Sequence, residues 1–191
     1  MNSNIPQIYL REDFDVILKN LGLDNGKYVE IGVWRSRFSK CIHRWNIHNK
    51  LTLIDPWTNG LTDYNDKMNE TPQEDFDKLH QNCVDLFKDD SRVTVLRDKA
   101  ENVVDQFEDG SLDWLYLDGN HNRKHAELDL KLWYPKLKRG SVFSGHDFFN
   151  MSSDLGEFGV KAALEEFLSD KNHKLHLLNK EDTSWYFIKD F

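Results

Sequence analysis

The stretch Tyr28-Val29-Glu30-Ile31-Gly32-Val33-Trp34-Arg35-Ser36 changes its apolar period partway through, and that change decides the fold class. Tyr28 to Ile31 is a short β-rich run, whereas Phe38, Cys41, Ile42 and Trp45 recur at helical spacing between Ser36 and His48. Leu51 to Ile54 returns to a strand pattern, closed by Asp55-Pro56, where the proline disfavours a following helix. This is one strand-helix-strand unit. Such units form when a helix crosses over between parallel strands, so the chain reads as α/β.

Working outward, the same alternation continues. Phe14, Ile17, Leu18 and Leu21 predict an amphipathic helix that ends at Gly22 and turns at Asn25-Gly26. Residues 56–72 are polar and irregular yet contain Trp57, Leu61, Tyr64 and Met68, which suits a lid better than an idle linker. Phe76, Leu79, Val84 and Phe87 predict a helix, Val93 to Leu96 a strand, and Val103, Val104 and Phe107 a short helix before Asp109-Gly110. Leu112 to Leu117 follows as the fourth strand. A helix is predicted over His121 to Leu137, with Leu128, Leu132 and Trp133 on its buried side and Pro135 near its end. Ser141 to Phe143 is the fifth strand, and Gly159 to Leu168 a last helix. Leu175 to Leu178 and Trp185 to Ile188 read as an antiparallel pair at one sheet edge, joined by a polar turn over 179–184. Neither repeats nor a linker divide residues 1–191, so one domain is expected.

Charge narrows the functional classes. Lys and Arg number 25 against 33 Asp and Glu, a formal net charge of −8, which gives no electrostatic grip on a phosphate backbone. Nucleic acid is therefore not an expected partner. No apolar run approaches the length of a membrane helix, and Met1-Asn2-Ser3-Asn4 lacks the basic and apolar regions of a secretion signal. The expectation is a cytoplasmic protein, with no membrane partner and with Cys41 and Cys83 as reduced thiols. A homo-oligomer is compatible with all of this.

Ligands of an open parallel sheet collect at the carboxyl ends of its strands. Here every predicted end carries an acid: Glu30 at the first, Asp55 at the second, Asp98 after the third, Asp118 at the fourth and His146-Asp147 after the fifth. Any one of them could be a helix cap or turn residue. Together they suit a nucleoside that carries a cation, with a carboxylate for adjacent ribose hydroxyls and another for an ammonium group. The glycine-rich GxGxxG turn wanted by a pyrophosphate cofactor is absent, which weighs against a nicotinamide or flavin enzyme.

Val29-Glu30-Ile31-Gly32, Asp55-Pro56-Trp57, Tyr116-Leu117-Asp118-Gly119-Asn120-His121, Asp129-Leu130, Trp133-Tyr134-Pro135, Lys138-Arg139-Gly140 and Gly145-His146-Asp147, in that order, resemble the class I S-adenosylmethionine-dependent methyltransferases. The likeness is greatest to the small-molecule O-methyltransferase branch that includes macrocin-type sugar enzymes. It runs from about Lys27 to Phe148, and Gly159 to Ala163 extends it. It implies a Rossmann-like, doubly wound, mostly parallel seven-stranded sheet with an antiparallel edge hairpin.

The resemblance also implies roles. Glu30 and Gly32 face the methionine part of S-adenosylmethionine, Asp55 the ribose hydroxyls, Trp57 the neighbourhood of the adenine, and Asp98, Ala100 and Glu101 its rim. Ser36 stands where the family usually has a glycine; it gives up cheap access to positive φ but can act as an N-cap. Asp118, His146 and Asp147 occupy the positions of three divalent-cation ligands in metal-dependent relatives. Carboxylates suit Mg²⁺, while imidazole favours softer ions such as Mn²⁺, Fe²⁺ or Zn²⁺. The alternative for His146 and Asp147 is a turn cap or a substrate contact.

His121 falls where catechol-type relatives carry a catalytic lysine, and its near-neutral pKa suits a general base at a substrate hydroxyl, beside Asp118. Its alternative is a helix-start residue that binds cofactor or backbone. Trp57, Tyr64, Phe148, Phe149 and Met151 are candidates for an acceptor rim. The expected activity is methyl transfer to a hydroxyl of a small polar acceptor, such as a sugar or a glycosylated metabolite. The competing expectation is a non-catalytic nucleoside-binding or scaffold subunit with the same fold.

Overall fold

The computed structural model describes residues 6–61, 66–153, 156–178 and 183–189. Its elements, in chain order, are α1 (Phe14–Asn20), β1 (Gly26–Ile31), α2 (Arg37–Trp45), β2 (His48–Asp55), α3 (Gln73–Phe87), β3 (Val93–Arg97), α4 (Ala100–Val103), β4 (Leu112–Leu117), α5 (Arg123–Trp133), β5 (Leu137–Gly145), β6 (Met151–Ser153), β7 (Gly156–Phe158), α6 (Val160–Leu168), β8 (His176–Leu177) and β9 (Trp185–Ile188). A 3₁₀ turn, Arg11–Asp13, leads into α1.

Seven strands form one sheet in the order β3-β2-β1-β4-β5-β9-β8. The first five are parallel, while β9 pairs antiparallel with both β5 and β8. This is the expected doubly wound sheet with an antiparallel edge. The chain winds outward from β1 through β2 to β3, then returns to β4 on the other side of β1. The reversal leaves a crevice between the carboxyl ends of β1 and β4, the place where such sheets bind ligands.

Alternation along the strands supplies two cores. On β4, Trp114 and Tyr116 face Phe14, Ile17, Phe38, Ile42 and Phe76 from α1, α2 and α3. Leu115 and Leu117 face Val103, Ala126, Leu130, Trp133 and Leu164 from α4, α5 and α6. With both faces covered, β4 is buried along its whole length, as a central parallel strand requires.

Several local expectations are corrected. α5 begins at Arg123 rather than His121, with Asn122 as its cap: the Asn122 side chain accepts a hydrogen bond from the Lys124 amide. Its buried stripe is Ala126, Asp129, Leu130 and Trp133, while Leu128 is exposed. Pro135 sits in a separate 3₁₀ turn, and β5 starts at Leu137, four residues before the expected Ser141. The short β6–β7 hairpin has no counterpart in the sequence reading, since strands of three residues leave too little alternation to detect. Most of the predicted turn over 179–184 lies outside the described residues, as does Tyr64. Among the described residues no helix is long and apolar enough to cross a membrane, and both cysteines are free.

Candidate functional site at the carboxyl edge

A cavity of about 290 Å³ opens at the switch between β1 and β4. Its floor is Gly32. The Gly32 amide donates to the Ile54 carbonyl and the Asp118 amide to the Ile31 carbonyl, so the ends of β1, β2 and β4 are tied together there. Gly32 has φ +85°, and a Cβ on it would stand 1.8 Å from the Asp118 carbonyl oxygen. Only glycine allows this approach.

Glu30 and Asp55 are the two buried acids of the near wall. Glu30 Oε2 is buried with no hydrogen-bond partner, and burial pushes its pKa up to about 8. The cavity wall thus holds a carboxyl group that a cationic ligand would ionise. Asp55 is already engaged: Oδ2 accepts from the Val33 and Trp34 amides at 2.9 and 2.8 Å, and Oδ1 from the Trp57 amide at 2.7 Å. A carboxylate has about four lone-pair sites, so Asp55 has one acceptor position left rather than a free fork for two hydroxyls. Its main work is to hold the β1–α2 turn, where Trp34 and Ser36 both sit at positive φ. Ser36 therefore does adopt the backbone usually supplied by glycine (φ +55°), and its hydroxyl makes no capping bond.

The far wall is Ala100, Glu101, Gly119, His125 and Asp129. Burial, with Glu101 nearby, raises the Asp129 carboxyl to about 7, and His125 Nε2 is buried without a partner. Neither residue was singled out as a site residue from sequence. The available signal was Asp129 itself, an acid in the middle of an apolar stripe.

Asp98 and Trp57 do not line the cavity. Asp98 is exposed, and its Oδ1 accepts from the Lys99 amide and from Asn102 Nδ2, both at 2.7 Å, which ties it to the turn before α4. The Trp57 indole is fully buried in the α1–α3 core and donates through Nε1 to the Trp34 carbonyl at 3.0 Å. Its positive φ of 40° accompanies this inward placement. Trp57→Phe should lower the melting temperature, at a cost of about 1–3 kcal/mol, and leave S-adenosylhomocysteine affinity within about threefold. Thermal melts alongside calorimetric titration check both halves. Phe148, Phe149 and Met151 also lie off the cavity; its rim is built instead by Arg35, Arg37, Leu61 and Met68.

Beside the cavity mouth, three carboxylates surround one imidazole. His121 Nε2 is 3.0 Å from Asp147 Oδ2 and 3.7 Å from Asp118 Oδ1, and Nδ1 is 3.4 Å from Asp66 Oδ2. The ring stacks on Phe158 with centroids 4.8 Å apart. Burial disfavours the imidazolium, but Asp118, Asp147 and Asp66 outweigh it and hold the pKa well above the ordinary value. These carboxylates favour the imidazolium form of His121, and as a metal ligand it would give up one ring proton to the cation. Asp118 is also bound on its other side by Arg11, whose Nη1 donates to Oδ2 at 3.1 Å.

The expected trio of cation ligands is only partly assembled. Asp118, His121 and Asp147 offer ligand atoms within 4.8 Å of one another, whereas His146 turns its Nδ1 to Asp147 Oδ1 at 3.0 Å. Two carboxylates and one imidazole fit a divalent cation such as Mg²⁺ or Mn²⁺. Sequence reasoning missed Arg11 and Asp66. They reach the site from the 3₁₀ turn before α1 and from the irregular 56–72 segment, where no periodicity marks a role.

Comparison with known proteins gives the same picture. No curated protein matches the sequence. The fold is similar to a SAM-dependent methyltransferase from Aquifex aeolicus (13% identity, TM-score 0.60, covering 94% of this chain and 88% of that one). It is also similar to the O-methyltransferase NovP (19%, 0.57, 93% and 76%) and to the CurJ carbon methyltransferase (11%, 0.64, 95% and 54%). The chain spans only about half the length of CurJ. At these identities the likeness is one of fold. The sequence itself matches a family model described as a methyltransferase domain over residues 29–148. Since that match runs from β1 through the turn after β5, across every strand end that borders the cavity, the chain belongs to the class I S-adenosylmethionine-dependent methyltransferases.

Proposed function

We propose that this methyltransferase acts on a hydroxyl oxygen of a small polar acceptor, in the class of sugars and glycosylated metabolites. The observation that carries the reading is the Asp118–His121–Asp147 cluster at the mouth of the cavity, polar and charged where the acceptor must enter. The sulfonium of bound S-adenosylmethionine brings an already activated methyl group. Glu30, at the β1 end, receives the ammonium of the methionine part, Gly32 lets the ligand backbone lie against the β1–β4 junction, and Asp55 keeps the β1–α2 turn in place and accepts from one ribose hydroxyl. Asp129 and Glu101 border the adenine.

Asp118, His121 and Asp147 would hold a divalent cation, which supplies Lewis-acid activation of the acceptor hydroxyl. The chain's own contribution is positional. Arg11 and Asp66 fix Asp118 and His121 from opposite sides, so the acceptor oxygen can be aligned with the methyl carbon and sulfur. The test is methyl release from S-adenosylmethionine to a panel of hydroxyl acceptors, with and without chelator. Turnover with sugar hydroxyls that chelator abolishes is the expected result. Binding of S-adenosylhomocysteine with no turnover on any acceptor would favour the non-catalytic nucleoside-binding reading.

Glu30 makes a further prediction. With its pKa raised to about 8, the carboxyl is largely protonated at neutral pH before ligand binds, and a cationic ligand selects the carboxylate, so binding releases a proton. Affinity for S-adenosylhomocysteine should rise by up to about tenfold per pH unit below the free-state pKa and level off above it. Titrations between about pH 6 and pH 9 should show this slope in the wild type and lose it in Glu30→Gln. A flat wild-type profile would remove Glu30 from the ammonium site.

A further inference from the structure

Away from the cavity, at the amino edge of the sheet, three potential ligands come together from separate elements. His43 lies in the last turn of α2, His48 is the first residue of β2, and Asp90 lies in the turn between α3 and β3. Asp55 lies seven positions beyond His48 along β2, which places this group roughly 23 Å from the cavity end of the strand at ~3.3 Å per residue. One ligand atom from each of the three lies within 4.8 Å of the others.

The second observation is His48 itself. Its side chain is 98% buried by its relative exposure of 2%, yet neither Nδ1 nor Nε2 has a hydrogen-bond partner. A buried imidazole with both nitrogens unmet is costly unless something occupies the space beside it. Its ring centre is 5.7 Å from that of His43, and His43 Nε2 is 2.9 Å from Asp90 Oδ2.

The remaining partner is Arg92. Its Nε and Nη2 grip Asp90 Oδ1 and Oδ2 at 2.9 and 2.7 Å, and its amide also donates to Oδ1 at 3.0 Å. Metal-ligating carboxylates are commonly oriented by such outer hydrogen bonds. The positive guanidinium also repels a cation, which argues for moderate affinity rather than the very tight binding of an all-anionic site.

The geometry points to a second metal site, in which His43, His48 and Asp90 bind a borderline-soft divalent ion of the Zn²⁺ class at the amino edge of the sheet. Two imidazoles and one carboxylate are a donor set suited to Zn²⁺. Entry of the ion replaces the His43–Asp90 hydrogen bond: the Nε2 proton that bonds Asp90 passes through solvent to Nδ1, and Nε2 gives the freed lone pair to the metal. Tetrahedral ligands of Zn²⁺ stand roughly 3.3 Å apart, whereas His43 Nε2 and Asp90 Oδ2 are 2.9 Å apart, so small side-chain rotations must adjust the set. His43 and Asp90 are partly exposed, which leaves solvent for the remaining position. Such an ion would pin the end of α2 to the start of β2 and to the α3–β3 turn, without reaching the methyl-transfer site.

The test is direct Zn²⁺ titration of the untagged, chelator-stripped full chain against a chromophoric competitor, compared with His43→Ala, Asp90→Asn and an Asp118→Asn/Asp147→Asn double variant. His43 is partly exposed and at a helix end, so its replacement should leave the protein folded, as circular dichroism will show. The expected result is one Zn²⁺ equivalent that survives in the double variant but is weakened by about tenfold or more in His43→Ala and Asp90→Asn. Zn²⁺ should raise the melting temperature of the wild type and not of His43→Ala, and His43→Ala should keep wild-type methyl transfer. Equal Zn²⁺ stoichiometry and affinity in wild type and His43→Ala, or no Zn²⁺ bound by the double variant, would overturn the assignment.

Discussion

Gly32→Val should abolish cofactor binding, lowering affinity for S-adenosylhomocysteine by at least about 100-fold and destabilising the fold by several kcal/mol. The reason is geometric. A Cβ would lie 1.8 Å from the Asp118 carbonyl oxygen and 2.3 Å from its carbon, both backbone atoms that cannot swing away. To admit the side chain, the ends of β1 and β4 must separate, and that junction is the floor of the cavity. The positive φ adds a strain of about 1 kcal/mol. Gly60→Ala is the matched control, since Gly60 also has positive φ (+67°) but nothing within 4 Å of its Cβ position. It should cost only the conformational strain. Calorimetric titration and thermal melts of the two variants separate loss of the site from loss of a turn glycine; wild-type binding by Gly32→Val would refute the proposed floor.

Asp147→Asn should cut kcat/KM by about 100-fold or more and leave S-adenosylhomocysteine affinity within about threefold. Asp147 contacts His121 at 3.0 Å and His146 at 3.0 Å but does not line the cofactor cavity. Its loss therefore strikes the acceptor side alone. Asparagine is the right replacement because Asp147 sits at φ +57°, a left-handed conformation that Asn tolerates and Ala does not. Removing the charge also weakens the hold on the His121 imidazolium, whose pKa should fall toward its ordinary value. Steady-state kinetics on the best acceptor, together with binding titration, check the split. Equal losses in turnover and cofactor affinity would place Asp147 in the cofactor site instead.

The parts legible in the sequence are those that rest on period. The β1–α2–β2 unit, the five parallel strands and the antiparallel edge follow from apolar spacing, because the central strands are covered on both faces and are apolar over most of their buried length. Glu30, Gly32, Asp55 and Asp118 were placed at strand ends by the same reading, and the structure brings all four to one cavity. Period says less where a buried acid replaces an apolar residue. Asp129 sits on the inner stripe of α5, so counting apolar residues alone shifted that stripe toward Leu128, which is exposed. Trp57 shows a second limit: an aromatic beside a ligand-binding acid can serve the core, and its backbone angle, invisible in the sequence, turned it inward. The cluster around His121 depends on Asp66 and Arg11, distant in sequence and outside any periodic element. His146 and Asp147 are adjacent, yet only Asp147 joins that cluster, because the turn after β5 aims the two side chains differently.

All of these effects depend on a single cavity, formed where the strand ends meet, that takes S-adenosylmethionine. Calorimetric titration of the wild-type chain with S-adenosylhomocysteine at neutral pH tests it most directly. One equivalent bound per chain with micromolar affinity, lost in Gly32→Val, is the predicted outcome; a folded wild-type protein that takes up none would contradict the account.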